Sequence, residues 1–183
     1  MEPLYRLADA TDAECLAALA LQVFFDTYAP GGIRPSVARY ALAELSADAF
    51  DERIKNPSLR VLVAEVDRHR VGFAVLDLAA SRPVAGCPPA ELATLYVSRH
   101  FARRGIGSGL LEQARERAAE LSLDSRIWLS ANARNSGAIA FYRRLGFTEL
   151  GAFDFEIEGE RHPNLVFVSP IFAPRPCPEA RPR

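Results

Sequence analysis

Two periodicities run through the chain. Leu16, Leu19, Ala20, Val23 and Phe24 recur at helical spacing and predict a helix reaching about Tyr28, where Pro30-Gly31-Gly32 stops it. Thr11, with Glu14 three residues on, reads as its N-cap and capping box, after a short strand from Leu4 to Ala8. Pro35 to Lys55 predicts one or two further helices, broken near Ser46, which is placed to cap the second. Val61 to Val66 and Val71 to Leu78 have strand character and flank Asp67-Arg68-His69-Arg70, which makes a hairpin. Ser81 to Pro89 is rich in proline and predicts a loop.

The second half changes period more often. Glu91 to Val97 is a strand, and Gly105 to Leu121 a helix with Ile106, Leu110, Leu111, Ala114, Ala118 and Leu121 on one face. Ile127 to Ala131 is a short strand; Ser136 to Leu145 is a helix with Gly146 as its C-cap. Phe147 to Ile157 and Leu165 to Ile171 read as a closing pair of strands that turn near Glu158-Gly159-Glu160. This order is neither strict βα alternation nor all-β. The strand–helix–strand centre needs a parallel crossover and the hairpins need antiparallel pairs, so a mixed α/β sheet with helices on both faces is expected.

Length and composition narrow the function. The 183 residues predict a single domain over 1–172 followed by a flexible, Pro-rich tail over 173–183. The 22 basic residues balance 23 acidic ones, for a net charge of −1, which lacks the basic excess of a nucleic-acid binder. No run approaches the ~18 apolar residues of a membrane span, and the first residues lack a signal-peptide pattern, so a cytoplasmic protein with no membrane partner is the expectation. Cys15, Cys87 and Cys177 are dispersed, as are His69, His100 and His162; reduced thiols, surface histidines and no metal follow.

The richest stretch is Leu95-Tyr96-Val97, then a basic loop with Arg103 and Arg104, then Gly105-Ile106-Gly107-Ser108-Gly109 where a helix begins. Glycine lets the backbone approach a ligand closely. The first amides of a helix have no internal partner and lie at the positive end of its dipole, which suits a phosphate or pyrophosphate. The spacing fits neither a Walker A loop, which needs GK[ST], nor a GxGxxG dinucleotide turn.

Downstream, Asn135-Ser-Gly-Ala-Ile-Ala-Phe-Tyr-Arg-Arg-Leu-Gly-Phe147 completes a second motif. Together, the Leu-Tyr-Val strand end, the Arg-Arg-Gly-Ile-Gly-Ser-Gly turn and the Asn-x-x-Ala-Ile-x-Phe-Tyr-x-x-x-Gly-Phe helix resemble the GNAT superfamily of acyl-CoA-dependent N-acetyltransferases. The resemblance is specific over Glu91 to Phe147; Ile127-Trp128-Leu129 and Gly151-Ala152-Phe153 look most like the bacterial polyamine (spermidine/spermine) branch. One departure is Ala102, where the family's loop usually opens with Gln or Arg.

The resemblance implies a mostly antiparallel sheet of six to seven strands, acetyl-CoA as cosubstrate, no metal, and a small-molecule amine as acceptor. It implies cofactor contacts at Leu95, Tyr96, Val97, Arg103, Arg104, Gly105, Ile106, Gly107, Ser108, Gly109, Asn135, Ala138, Tyr142 and Arg144. Tyr142 is the candidate general acid, the Val97 amide an oxyanion donor, and Glu91 the candidate base, with Asp77 a substitute. Simple strand alternation puts Glu91, Ala93, Leu95 and Val97 on one face. Asp26, Asp154, Glu156, Glu158 and Glu160 are candidates for an acidic entrance to a polyamine. Other acceptors with the same chemistry are a protein N-terminus, an amino acid or an amino-bearing drug; a non-catalytic acyl-CoA-binding regulator is a further alternative. A homodimer is compatible with all of these.

Overall fold

The computed structural model describes residues 2–121, 124–157 and 160–171, with the backbone alone at 155–157 and 160. The expected tail over 173–183, Cys177 and the turn at 158–159 lie outside the described residues. The elements are β1 (Leu4–Leu7), α1 (Ala13–Tyr28), α2 (Pro35–Glu44), α3 (Ala47–Lys55), β2 (Leu59–Val66), β3 (His69–Asp77), β4 (Ala90–Val97), α4 (Ile106–Leu121), β5 (Ile127–Asn132), α5 (Ser136–Arg144), β6 (Thr148–Ile157) and β7 (Glu160–Val168).

The seven strands make one sheet in the order β1-β2-β3-β4-β5-β7-β6. Every neighbouring pair is antiparallel except β4 and β5, which are parallel and joined through α4. Side-chain alternation along the strands sorts the core onto two faces. Leu62, Ala74, Leu76, Ile127 and Leu129 pack with Ile106, Leu110 and Ala114 of α4 and with Ile139 and Tyr142 of α5. Val61, Val63, Phe73 and Val75 pack on the other side with Leu16 and Ala20 of α1 and Phe50 of α3. The helical spacings seen in the sequence are thus the buried stripes of α1 and α4, except that Leu121, expected on the α4 stripe, is exposed at the end of the helix; Ser46 caps α3 by accepting from the Ala49 amide at 3.2 Å.

Some local expectations need correction. Thr11 does not cap the first helix. A 3-10 turn over Ala10–Asp12 precedes α1, with Asp9 as its cap; Asp9 accepts from the Thr11 amide at 2.9 Å and Asp12 accepts from the Asp9 amide at 2.9 Å. Asp12 is drawn there because its buried carboxylate also receives Arg6, at 2.6 and 2.9 Å, and Arg70 at 2.8 Å. β7 begins at Glu160 instead of Leu165, despite Pro163. The Pro163 carbonyl accepts from the Ala133 amide at 2.9 Å, so the proline's missing donor falls on the β5 side, just past the last pairing Asn132↔Asn164.

The most consequential difference lies in β4. Val75 pairs with Thr94 but Leu76 pairs with Leu92, so Ala93 is an extra, exposed residue in a β-bulge. The bulge breaks the simple alternation. Leu92, Leu95 and Val97 face α4, whereas Glu91, opposite Asp77, shares the α1/α3 face with Thr94 and Tyr96.

Candidate active site

β4 and β5 run side by side only briefly. They pair at Ala90↔Ile127 and Glu91↔Trp128, and beyond this the strands part. The free edge of β4 has a defined chemistry. The Ser98 amide donates to the Val71 carbonyl at 2.8 Å, and a Cβ built on Gly72 would lie 2.9 Å from the Tyr96 carbonyl oxygen. The backbone of Tyr96 and Ser98 therefore faces β3, and the alternate residues Leu95 and Val97 turn their amides and carbonyls into the opening. Of the three strand-end residues expected to offer backbone to a cofactor, Leu95 and Val97 are oriented to do so; Tyr96 brings its ring to the other face instead.

The loop after β4 leads into α4. Arg103 (φ 62°) and Gly105 (φ 82°) are both in the left-handed region, and nothing lies within 4 Å of where a Gly105 Cβ would be. Among the described residues, the amides of 103–108 donate to no carbonyl or side chain; the first bond of the helix runs from the Gly109 amide to the Gly105 carbonyl at 2.9 Å. Arg103, Ile106, Gly107 and Ser108 thus sit in or beside a row of unspent donors at a helix N-terminus. Arg104 is exposed, its guanidinium 5.1 Å from the Phe101 ring centre.

Gly109 is different. Its amide is already used, and a Cβ there would collide with the Tyr5 ring and hydroxyl, so this glycine lets α4 close onto β1. Gly107 joins three elements: a Cβ would lie 3.5 Å from Phe141 of α5 and 3.7 Å from Val97. Asn135 caps α5, accepting from the Ala138 amide at 3.0 Å. Arg144 is exposed on the same helix, 5.9 Å from the Phe141 ring centre.

One cleft of about 1210 Å³ passes through the parting of the strands. Asn135, Ala138 and Tyr142 of α5 line one end; Glu91 and Asp77 line it from β4 and β3. Burial, with the Asp77 carboxylate beside it, raises the Glu91 carboxyl to about 7. Asp77 is itself fixed, accepting from the Ala79 amide at 2.8 Å. Tyr142 is buried among Phe141, Phe147 and Phe167, and burial raises its phenol well above the ordinary value, so it stays a hydrogen-bond donor at neutral pH.

The cleft has members that the sequence did not announce. Phe24 and Tyr28 of α1 and Tyr40 of α2 form its roof, with Phe24 at 4.9 Å and 5.6 Å from the two tyrosine rings. The only early signal was the four-residue spacing of Phe24 and Tyr28. Trp128 lies opposite Glu91, and its buried Nε1 has no hydrogen-bond partner among the described residues. His162, expected at the surface, lines the cleft from β7, because that strand starts earlier than its apolar run. The expected acidic entrance is mostly elsewhere. Phe153 lines the cleft, so Asp154 falls on the opposite face of β6, within 3.8 Å of Arg161, and Asp26 is exposed on α1 outside the lining. The side chains of Glu156, Glu158 and Glu160 lie outside the described residues.

No group of three His, Cys, Asp or Glu among the described residues is arranged to hold a metal ion, and no helix among them is long and apolar enough to cross a membrane. Cys15 and Cys87 are free thiols.

A parted parallel pair, a row of free amides beside it and a cleft between are what the sequence resemblance leads one to expect of an acyl-CoA-dependent transferase. Residues 26–147 match the acetyltransferase (GNAT) family. An uncharacterised N-acetyltransferase of Mycobacterium tuberculosis is 31% identical over 154 residues, 84% of this chain and 94% of that protein. The crystal structure of PaiA N-acetyltransferase from Thermoplasma acidophilum, in complex with coenzyme A, shares the fold with a TM-score of 0.73 at 21% identity, over 92% of this chain and 99% of that one. A probable spermine N(1)-acetyltransferase of Bacillus subtilis subsp. natto is 35% identical over 63 residues, 34% of this chain and 41% of that protein.

The chain belongs to the GNAT acetyltransferase family. It is accordingly an N-acetyltransferase, and acetyl-CoA is that family's cosubstrate. The free amides of 103–108, the open space at Gly105 and the unpaired edge of β4 fit that molecule's diphosphate and pantetheine arm.

Proposed function

We propose that this enzyme transfers the acetyl group directly from the thioester to a primary amine, with Glu91 as base and Tyr142 as acid, and that residues 1–172 act as one catalytic unit. The supporting observation is that both side chains line the same cleft where β4 and β5 part. Among the described residues no cysteine lines that cleft, which favours direct transfer over an acyl-enzyme.

Acetyl-CoA supplies the activated carbonyl. An alkylammonium with a pKa of ~10.4 is almost wholly protonated at neutral pH and must lose a proton before attack. Glu91 holds a carboxylate near neutrality inside an apolar wall and accepts that proton, directly or through a water. The Val97 amide donates toward the carbonyl oxygen as negative charge develops there. Tyr142 donates its phenolic proton to the departing thiolate. The amides of 103–108, with Arg103 nearby, anchor the diphosphate; Asn135, Ala138 and Arg144 border the path of the arm.

A polyamine acceptor is supported by the short match to the Bacillus protein. Release of free coenzyme A from acetyl-CoA, measured against a panel of amines, tests the reading. Amine-dependent release with saturation is expected. Tight acetyl-CoA binding with no release in the presence of any amine would refute it and leave a binding protein.

A further inference from the structure

Trp128 and Glu91 are paired across the parallel junction of β4 and β5, so their side chains leave the same face of the sheet, and both line the cleft. The Trp128 Nε1 is buried and has no hydrogen-bond partner among the described residues. The Glu91 carboxyl accepts no hydrogen bond from them either; burial and the Asp77 charge are what act on it. A buried donor left unpaired costs free energy and is rare in folded proteins. Here each group lacks what the other supplies.

The two differ in freedom. Trp128 is packed with Cys87 and Val166, with Val84 and Phe153 against that cluster, so the indole is held. Glu91 is only partly buried and has a longer, unbranched side chain. Neighbouring strands lie roughly 4.8 Å apart, a gap the carboxyl spans by changing rotamer. Charge supplies the reason to move. A neutral carboxyl gains little from the indole, whereas a carboxylate makes a charge-assisted hydrogen bond with it.

We propose that Trp128 is a positioning residue for the base: its indole N–H donates to the Glu91 carboxylate once that group has lost its proton, holding one oxygen and leaving the other to take the proton of the amine. This rests on the reading of Glu91 as base. Asp77 on β3 also faces Glu91 and opposes its charged form. Arg34, Glu44 and Arg53 line the cleft from the helical side, Arg134 from the loop before α5 and His162 from β7. The lining tyrosines, Tyr28, Tyr40, Tyr96 and Tyr142, are all raised by burial and stay neutral through the working range.

Trp128 is the one tryptophan of the chain, so a nitrogen-15-labelled sample shows a single indole N–H resonance. In the full chain without ligand, that resonance should move downfield as pH rises through about 7. The transition should vanish in Glu91→Gln and persist in His162→Gln. Trp128→Phe removes a donor to the charged form, so the acid limb of kcat/KM should move up by about one pH unit, opposite in direction to Asp77→Asn. A resonance that does not titrate, that titrates equally in Glu91→Gln or that stops titrating in His162→Gln overturns the inference and leaves acetyl transfer intact. An unmoved limb in a folded Trp128→Phe does the same. A wild-type kcat/KM in Glu91→Gln overturns the base reading and the inference together.

Discussion

At Tyr142 a buried phenol lies beside a cleft rather than wholly within a core, and its raised pKa keeps the proton on the oxygen. Tyr142→Phe removes only that proton donor and leaves the packing against Phe147 and Phe167. The expectation is a fall in kcat of ~10²-fold or more, with acetyl-CoA affinity by calorimetry changed far less. Glu91 is raised by burial and by the Asp77 carboxylate beside it. A base works deprotonated, so kcat/KM should rise with pH through about 7, the value to which burial and Asp77 lift Glu91. Asp77→Asn deletes the neighbouring negative charge, so the acid limb should move to lower pH. A pH profile whose limb stays in place would assign the titration to another group.

Among the elements, the three glycines near the start of α4 are not equivalent. Gly107→Val adds methyl groups beside the free amides, where Phe141 and Val97 are at ordinary contact distance. The fold should survive while acetyl-CoA binding is lost. Gly109→Ala instead drives a methyl into Tyr5, and the destabilisation should be ~1–3 kcal/mol, read as a lower urea midpoint. The sequence carried most of the helical stripe of α4, the glycine turn at its head and the Asn135 cap openly, because each is a local pattern. It did not carry the bulge at Ala93, since an extra residue between two apolar runs leaves the composition of the strand unaltered. The face occupied by Glu91 was therefore misassigned relative to Leu95 and Val97. Nor did it reveal the aromatic lining of the cleft, because Tyr28, Tyr40 and Trp128 come from three separate elements, α1, α2 and β5. Equally, Thr11 and Glu14 form a credible capping box in the sequence, but Arg6, close by, and Arg70, distant in sequence, draw Asp12 into the box with Asp9.

Across the whole molecule, that Asp12 cluster ties β1, the entry to α1 and the β2–β3 hairpin together. Arg6 and Arg70 hold the Asp12 carboxyl far below the ordinary carboxylate range despite its burial. The folded-state pKa is depressed, so this contribution is fully present above the unfolded value and is lost as pH falls through the folded one. Asp12→Asn should lower the melting temperature at neutral pH, and the gap from wild type should narrow toward strong acid. A constant gap across pH would show that packing alone is involved. The expected magnitude is on the order of 3 kcal/mol, reduced because both arginines reach water.

The two backbone pairings between β4 and β5 are the narrow waist of the sheet, the shortest ladder between any of its neighbouring strands. A cosubstrate arm lying along the Leu95 and Val97 edge would act as a zipper across this waist, so the two flanks of the enzyme should become one stiff body only when it is loaded. Hydrogen–deuterium exchange at the Leu95 and Val97 amides should then slow with acetyl-CoA alone, before any amine is added. The acceptor would in that case enter a vise already set, and initial-rate kinetics should show a compulsory order with the thioester bound first.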